Sequence, residues 1–359
     1  MLQPVLALYG YTQQPVKVEL IGNGLINHTW KLTMEENTYI LQRINDHVFK
    51  QPAMIAANID LIARHLEMYY PDYVFTAPVR TRDGASMVYL KGEGYFRMFP
   101  YVAGSFSKDV VENPRQAYEA AKQFGRFTKL LSGLDVGGLA ATIPSFHDLS
   151  LRYRQFLLAL DTGNKKRIEG SAGLVEQLIG WSGITEEYER IKCNPDFKQR
   201  VTHHDTKISN VLFDKDDDGI CVIDLDTVMP GFFISDVGDM MRTYLSPVSE
   251  EESDFSKISI RDAFYEAVVQ GYYDEMKDEL TETEKEYFFY AGTFMIYMQA
   301  LRFLTDHFND DAYYGAKYTG HNLVRAQNQA ILLQRLLEKK PQLEELLKVK
   351  SSDSDFPGV

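Results

Sequence analysis

The stretch VTHHDTKISNVLFDKDDDGICVIDLDT, residues 201–227, decides the reading of this chain. It opens on His203-His204-Asp205-Thr206-Lys207-Ile208-Ser209-Asn210, an H-x-D-x-K-x-x-N spacing. Val211–Phe213 then predicts a strand, Asp214–Gly219 a polar turn, and Ile220–Ile223 a second strand ending on Asp224. Such a hairpin returns Asp224 to the loop that holds Asp205 and Asn210.

These residue types in this order suit phosphoryl transfer, and the spacing is that of a kinase catalytic loop. Asp205 is placed to accept or orient the proton of an attacking hydroxyl. Asn210 and Asp224 offer oxygen ligands to magnesium, a hard cation. Lys207 can reach the transferred phosphate as a point charge. Two other chemistries meet the same stretch and fit it less well. Asp214, Asp216, Asp218 and Gly219 match the first half of a calcium loop, but Leu225 stands where the bidentate Glu belongs and the flanks read as strands. His203, His204 and Asp205 have no further His or Cys at zinc spacing, so His203 reads as a buried, hydrogen-bonded brace.

Working outward, the 359 residues suit two lobes. With 45% hydrophobic and 25% charged residues, the composition is that of a globular protein, and 21 Phe, 22 Tyr and 2 Trp can build a large core. The net charge of −13 argues against nucleic acid and anionic membranes as partners. Two cysteines, Cys193 and Cys221, indicate no disulfide framework and a reducing compartment. The opening MLQPVLALYGYTQQP lacks a basic start and is broken by Pro4 and Pro15, so it does not read as a signal peptide. No apolar run approaches the roughly 18–20 residues of a membrane span. A cytoplasmic protein is expected.

The first hundred residues predict an antiparallel sheet with one long helix. Strands are expected at Val16–Ile21, Trp30–Met34, Tyr39–Ile44, Phe75–Val79, Ser86–Leu90 and Tyr95–Tyr101, with the helix at 52–70. The turn after the first strand carries Gly22, Asn23, Gly24, Asn27 and Thr29, and resembles a phosphate-cradling glycine loop with Asn27 in place of its third glycine. The third strand should supply a cation for the nucleotide. Arg43 is the expected residue because it is the only charge, with Gln42 as the adjacent alternative, since neighbours on a strand face opposite ways. No acidic partner for that cation can be assigned on the helix. Phe99, Tyr101 and Val102 form the expected linker against which adenine lies, with Val102 as the backbone donor because Pro100 has no N–H.

From Asn113-Pro114 onward the pattern is helical. Helices are expected near 148–160 and 173–191, from a capping box at Thr281-x-x-Glu284 through Asp306, and at about 321–348. The boundaries expected are residues 1–101 for a nucleotide-binding lobe, 102–350 for a helical lobe, and 351–359 for a disordered tail.

HHDTKISNVLF, CVIDLDTVMPG, SDVGDMMR, IGNGLINHTWKL, YILQRIN, RFLTDHF and HNLVRAQNQ together resemble the aminoglycoside phosphotransferase-like kinases, and within them the N-acetylhexosamine 1-kinases. That resemblance implies an α+β, protein-kinase-like two-lobe fold, ATP as co-substrate, Mg2+ as cofactor and a sugar as acceptor. It implies that Asp205 also binds the reacting anomeric hydroxyl, and that His28, Thr227, Arg302 and Tyr313 or Tyr314 contact the sugar. Arg302 can also be read as an i,i+4 partner of Asp306. Choline, homoserine or aminoglycoside acceptors are the alternatives on this fold, and an acidic acceptor pocket would favour them. A non-catalytic nucleotide-binding protein is a further one.

Overall fold

A computed structural model describes residues 2–11, 15, 17–21, 27–46 and 48–351. The smaller lobe is a five-stranded antiparallel sheet in the order β1-β2-β3-β5-β4, from β1 (Lys17–Leu20), β2 (His28–Thr33), β3 (Thr38–Ile44), β4 (Val88–Leu90) and β5 (Gly94–Pro100). The expected strand at Phe75–Val79 does not form. Pro78 lacks a donor, and a single bond, from the Val79 amide to the Met98 carbonyl at 2.7 Å, ties this segment to β5.

The register sorts the sheet into two faces. Leu32, Leu41, Phe96 and Met98 point outward and are covered by a helix absent from the sequence expectation, α1 (Leu2–Leu8), with Val5 and Leu6 fully buried. Pro4 is tolerated there because the first-turn amides of a helix have no intrahelical acceptor. The other face carries Thr29, Gln42, Ile44, Arg97 and Phe99. It is turned toward α2 (Pro52–Tyr69) and the larger lobe.

α2 buries Ile55, Ile59, Ile62 and Leu66, as its spacing predicts. Asn58, from its middle, donates to the carbonyls of Ala140 and Val228 and accepts from the Ala140 amide, so it docks the helix on the larger lobe. That lobe comprises α3 (Pro114–Leu130), α4 (Leu149–Thr162), α5 (Lys165–Glu169), α6 (Ala172–Gly180), α7 (Gly183–Cys193), α8 (Phe233–Tyr244), α9 (Asp262–Met276), α10 (Glu282–Lys285), α11 (Phe288–Phe308), α12 (His321–Glu338) and α13 (Lys340–Ser351). Asn113 caps α3 as expected. The Thr281 capping box is present but opens only the single-turn α10, and the long helix starts again at Phe288. Glu284 of the box also grips Arg200 bidentately at 2.6 and 2.9 Å.

Two short two-stranded antiparallel sheets frame the site: β6 (Arg200–Thr202) with β9 (Met229–Gly231), and the hairpin of β7 (Val211–Phe213) with β8 (Gly219–Val222). Among the described residues no helix is long and apolar enough to cross a membrane. Residues 352–359 of the expected tail lie outside the described residues.

The core allows some backbones to touch. At Gly238 of α8 an added Cβ would overlap the Ala291 carbonyl oxygen on α11 and press on the Met295 side chain. Gly238→Ala is therefore expected to destabilise the protein by about 1–3 kcal/mol through overpacking. Denaturant unfolding with an unchanged m-value checks this.

Candidate active site

The loop between β6 and β7 is shaped by carboxylates of α8. The His203 and His204 amides donate to the two oxygens of Asp236 at 2.9 and 2.8 Å. His204 sits in the left-handed region at φ 64. The Thr206 amide donates to Asp239 at 2.8 Å, and the Tyr244 hydroxyl donates to the Thr206 carbonyl at 2.6 Å. Asp239 is held in turn by Arg242. Burial pushes the Asp236 carboxyl up to about 7, against the two amides that favour its ionised form. His203 is the buried brace expected of it. Its Nε2 meets the Ile223 carbonyl at 2.9 Å, its ring lies edge-on to Phe124, and burial lowers its pKa.

This frame presents Asp205, Lys207, Asn210 and Asp224 together. Lys207 Nζ and Asn210 Nδ2 both donate to Asp205 Oδ2 at 2.9 Å. Burial acts to raise the Asp205 pKa, but the Lys207 ammonium and the Asn210 amide outweigh it and hold the carboxyl below its usual range. Asn210 Nδ2 also donates to the Asp205 carbonyl, which commits the nitrogen end of that amide and leaves its oxygen end for a cation. The Ile223 amide donates to the Asn210 carbonyl at 2.8 Å, so the β7–β8 hairpin brings Asp224 alongside, at φ 62. Burial, then Asp226 and Asp205, push the Asp224 carboxyl up to about 7.

Asn210 and Asp224 fit magnesium in donor chemistry: hard oxygens, few in number, with crowded negative charge that a dication relieves. Among the described residues no cluster of three or more His, Cys, Asp or Glu could hold a metal ion. Magnesium needs none where phosphates and water complete its shell. The acidic turn is no calcium loop. Asp214 accepts from the amides of Asp216 and Asp218, while Asp217 and Asp218 pair with Lys108 and Arg115.

Other expected residues are distributed as the sheet dictates. Thr29 and Phe99 lie on the inner face, and Thr29 accepts from Gln42 at 3.2 Å. The Tyr101 ring takes Lys31 at 3.9 Å, and the Val102 amide donates to no described residue. Gly22, Asn23 and Gly24 lie outside the described residues. Four expected residues are directed or engaged elsewhere. Arg43 and His28 face each other across β3 and β2 on the outer face, opposite to Gln42, so neither side chain points toward Asp224. Asn27 is an inter-lobe strut: its Nδ2 donates to Asp226 at 2.8 Å and its Oδ1 accepts from the Asn45 amide at 3.0 Å. Thr227 donates to the His203 carbonyl at 2.7 Å and thereby braces the loop.

Sequence reasoning missed Arg97. It is only 1% exposed, and pairs with Asp226 while Nε and Nη2 donate to Gln42 at 3.0 and 2.8 Å. Its signal was a lone arginine in the apolar run YFRMF of β5.

Arg302 and Tyr314 come together in a cavity of about 300 Å³ between α4 and α11, whose lining also includes Arg152, Thr305, Asp306 and the exposed Tyr313. The Arg302–Asp306 pair does not form. Asp306 instead accepts from the Tyr313 and Tyr314 amides and from Asn322. Arg302 reaches Gln299 and lies over the Phe146 ring, which in turn neighbours His204.

Residues 17–281 match the phosphotransferase enzyme family. Among solved structures, an aminoglycoside phosphotransferase from Alicyclobacillus acidocaldarius superposes with a TM-score of 0.63 at 14% identity, covering 95% of this chain and 96% of its own. The amicoumacin kinase hAmiN, in complex with AMP-PNP, Ca2+ and Ami, gives 0.63 at 15%, with 93% of each chain covered. A microcompartment-associated aminopropanol kinase gives 0.58 at 18%, covering 94% of this chain and 97% of its own. The architecture is thus the α+β, protein-kinase-like two-lobe fold.

The raised Asp224 pKa has a sign that can be tested. The carboxyl binds a cation only when ionised, and with its pKa near 7 a cation must displace a proton at lower pH. Mg2+-dependent nucleotide affinity is expected to fall up to about tenfold per pH unit below pH 7 and to level off above it. Calorimetric titrations from about pH 5.5 to about pH 8.5 check this. In Asp224→Ala the slope should disappear.

Proposed function

The chain belongs to the phosphotransferase enzyme family, and from that premise we propose an ATP- and magnesium-dependent small-molecule kinase whose acceptor is the anomeric hydroxyl of an N-acetylhexosamine. The acceptor hydroxyl lies against Asp205, which orients it and receives its proton as the oxygen attacks the γ-phosphorus and the bond to the departing ADP breaks. Lys207, salt-bridged to Asp205 and 43% exposed, faces the transferred group as a fixed charge. Asn210 and Asp224 would hold magnesium, which would neutralise charge on the phosphate oxygens. Phe99, Tyr101 and the Val102 amide, which donates to no described residue, receive the adenine, and Thr29 lies on the same inner face as Phe99.

The observation that carries the acceptor reading is the charge of the α4–α11 cavity. Two guanidiniums, Arg152 and Arg302, line it, and its one carboxylate, Asp306, is already bonded to backbone amides and Asn322. Two guanidiniums against one engaged carboxylate leave positive charge in excess there, and burial and then the Arg302 charge lower the Arg152 pKa. An amine acceptor would be repelled. A neutral ligand rich in hydroxyl and carbonyl acceptors, with a flat face for Tyr313 and Tyr314, suits it.

An ADP-release assay over N-acetylhexosamines, choline, homoserine and aminoglycosides should give the highest kcat/KM with an N-acetylhexosamine. Preference for any amine would overturn the sugar assignment. Asp205→Asn should lower kcat by about 10²–10⁴-fold with nucleotide affinity retained. Arg302→Ala should lower kcat/KM for the acceptor about ten- to hundredfold while leaving the nucleotide KM nearly unchanged.

A further inference from the structure

A kinase sheet needs a cation on the face turned to the metal-binding turn, and the β3 residue on that face here is neutral. Gln42 holds the position, because the register that pairs it with Arg97 and Thr29 sends Arg43 outward. The lysine of β2 on this face, Lys31, lies over Tyr101 at the linker end. The acidic half of the usual strand–helix ion pair is also absent from its expected place. On α2, Asp60 accepts from Arg80 and Ser86, and Asn58 is bonded to Ala140 and Val228.

Both halves exist one strand away. Arg97 of β5 stands directly opposite Gln42, whose amide oxygen receives its Nε and Nη2. Its Nη1 forms an ion pair with Asp226 Oδ1, two residues beyond Asp224. The site is almost fully buried, with side-chain exposures of 1% for Arg97 and 4% for Asp226. A buried ion pair is seldom the most stable filling of such a space, since desolvation offsets much of its attraction. Its presence here, beside the turn that carries Asp224, points to a use beyond stability.

We propose that Arg97 is the nucleotide-phosphate cation of this enzyme, moved from β3 to the adjacent strand, and that Asp226 is the carboxylate that holds it. The assignment rests on the phosphotransfer reading. An N–H of Nη1 or Nη2 not taken by Asp226 or Gln42 donates to a phosphate oxygen, Gln42 fixes the plane of the guanidinium from the other edge, and Asp226 ties this cation to the turn that carries Asp224. Arg97 adds its charge to the field at that carboxyl as well, drawing its pKa down against the stronger effects of burial and Asp226. Asn27 shares Asp226 from the segment before β2, so the turn, the sheet and the metal ligand are registered through one carboxylate.

The test compares adenosine, ADP and a non-hydrolysable ATP analogue with magnesium, by calorimetry on the full chain. Arg97→Gln is expected to weaken the triphosphate analogue about 10- to 100-fold, ADP less, and adenosine by less than about threefold, since only phosphate contacts are lost. Gln42→Lys combined with Arg97→Gln returns the cation to β3 and should recover most of the triphosphate affinity. Equal weakening of adenosine and triphosphate would make Arg97 a structural clasp and overturn the assignment. So would unchanged triphosphate affinity. If Arg97→Gln does not fold, the double variant and Arg97→Lys decide. A folded double variant that does not bind the triphosphate better than it binds adenosine would overturn the proposal. Wild-type protein that bound no nucleotide would instead remove the phosphotransfer reading on which the assignment stands.

Discussion

Two consecutive amides, His203 and His204, donate to one buried carboxylate, Asp236, which is 0% exposed. The arrangement forces His204 into a left-handed conformation and turns Asp205 outward from the core. Without the carboxylate, two buried N–H groups would lack acceptors, at a cost of about 1–3 kcal/mol each. Asp239, Tyr244 and the Arg242–Glu250 pair extend the same support along α8, so the loop is held by a rigid helix. The neighbouring Gly231 must lack a side chain because the Thr202 hydroxyl and the His204 ring occupy the space a Cβ would take. Everything chemical in the site depends on this frame, since Asp205, Lys207 and Asn210 bond mainly to one another and would have no fixed direction without it.

A second carboxylate does for the two lobes what Asp236 does for the loop. Asp226 receives Asn27 and Arg97 from the small lobe and sits on the turn that carries Asp224. Asp224, the proposed metal ligand, is therefore positioned from both sides: by the β7–β8 hairpin through Ile223 and Asn210, and by the sheet through Asp226. In the proposed reaction this couples nucleotide position to cation position. Catalysis by fixed charges gains most from such preorganisation.

The sequence was most legible where the signal is local. The H-x-D-x-K-x-x-N spacing, the hairpin behind it, the Asn113 cap and the apolar stripe of α2 each lie within a few turns of chain, and each is found in the structure. The choice between Gln42 and Arg43 was not local. Strand alternation says that the two face opposite ways, but which way is inward depends on what covers the other side, and that is α1, an element hidden by its Pro4. The role of Arg97 was illegible for the same reason, and its partner Asp226 lies far along the chain. Asn27 meets Asp226 across 199 residues, a separation at which no spacing rule operates. Thr281 illustrates the converse error. Its capping box forms, but how far the helix runs beyond it is decided by tertiary contacts, including the Glu284–Arg200 pair.

The central claim is that a base-bearing loop, a magnesium-binding turn and a cationic, aromatic cavity together direct phosphate to the anomeric oxygen of an N-acetylhexosamine. Phosphorus–proton correlation NMR of the product tests it most directly. Incubation of the protein with ATP, magnesium and an N-acetylhexosamine should yield a sugar phosphate whose phosphorus couples to the anomeric proton. Phosphate on any other sugar hydroxyl would contradict the account, as would phosphorylation of an amino alcohol with the sugar left unchanged.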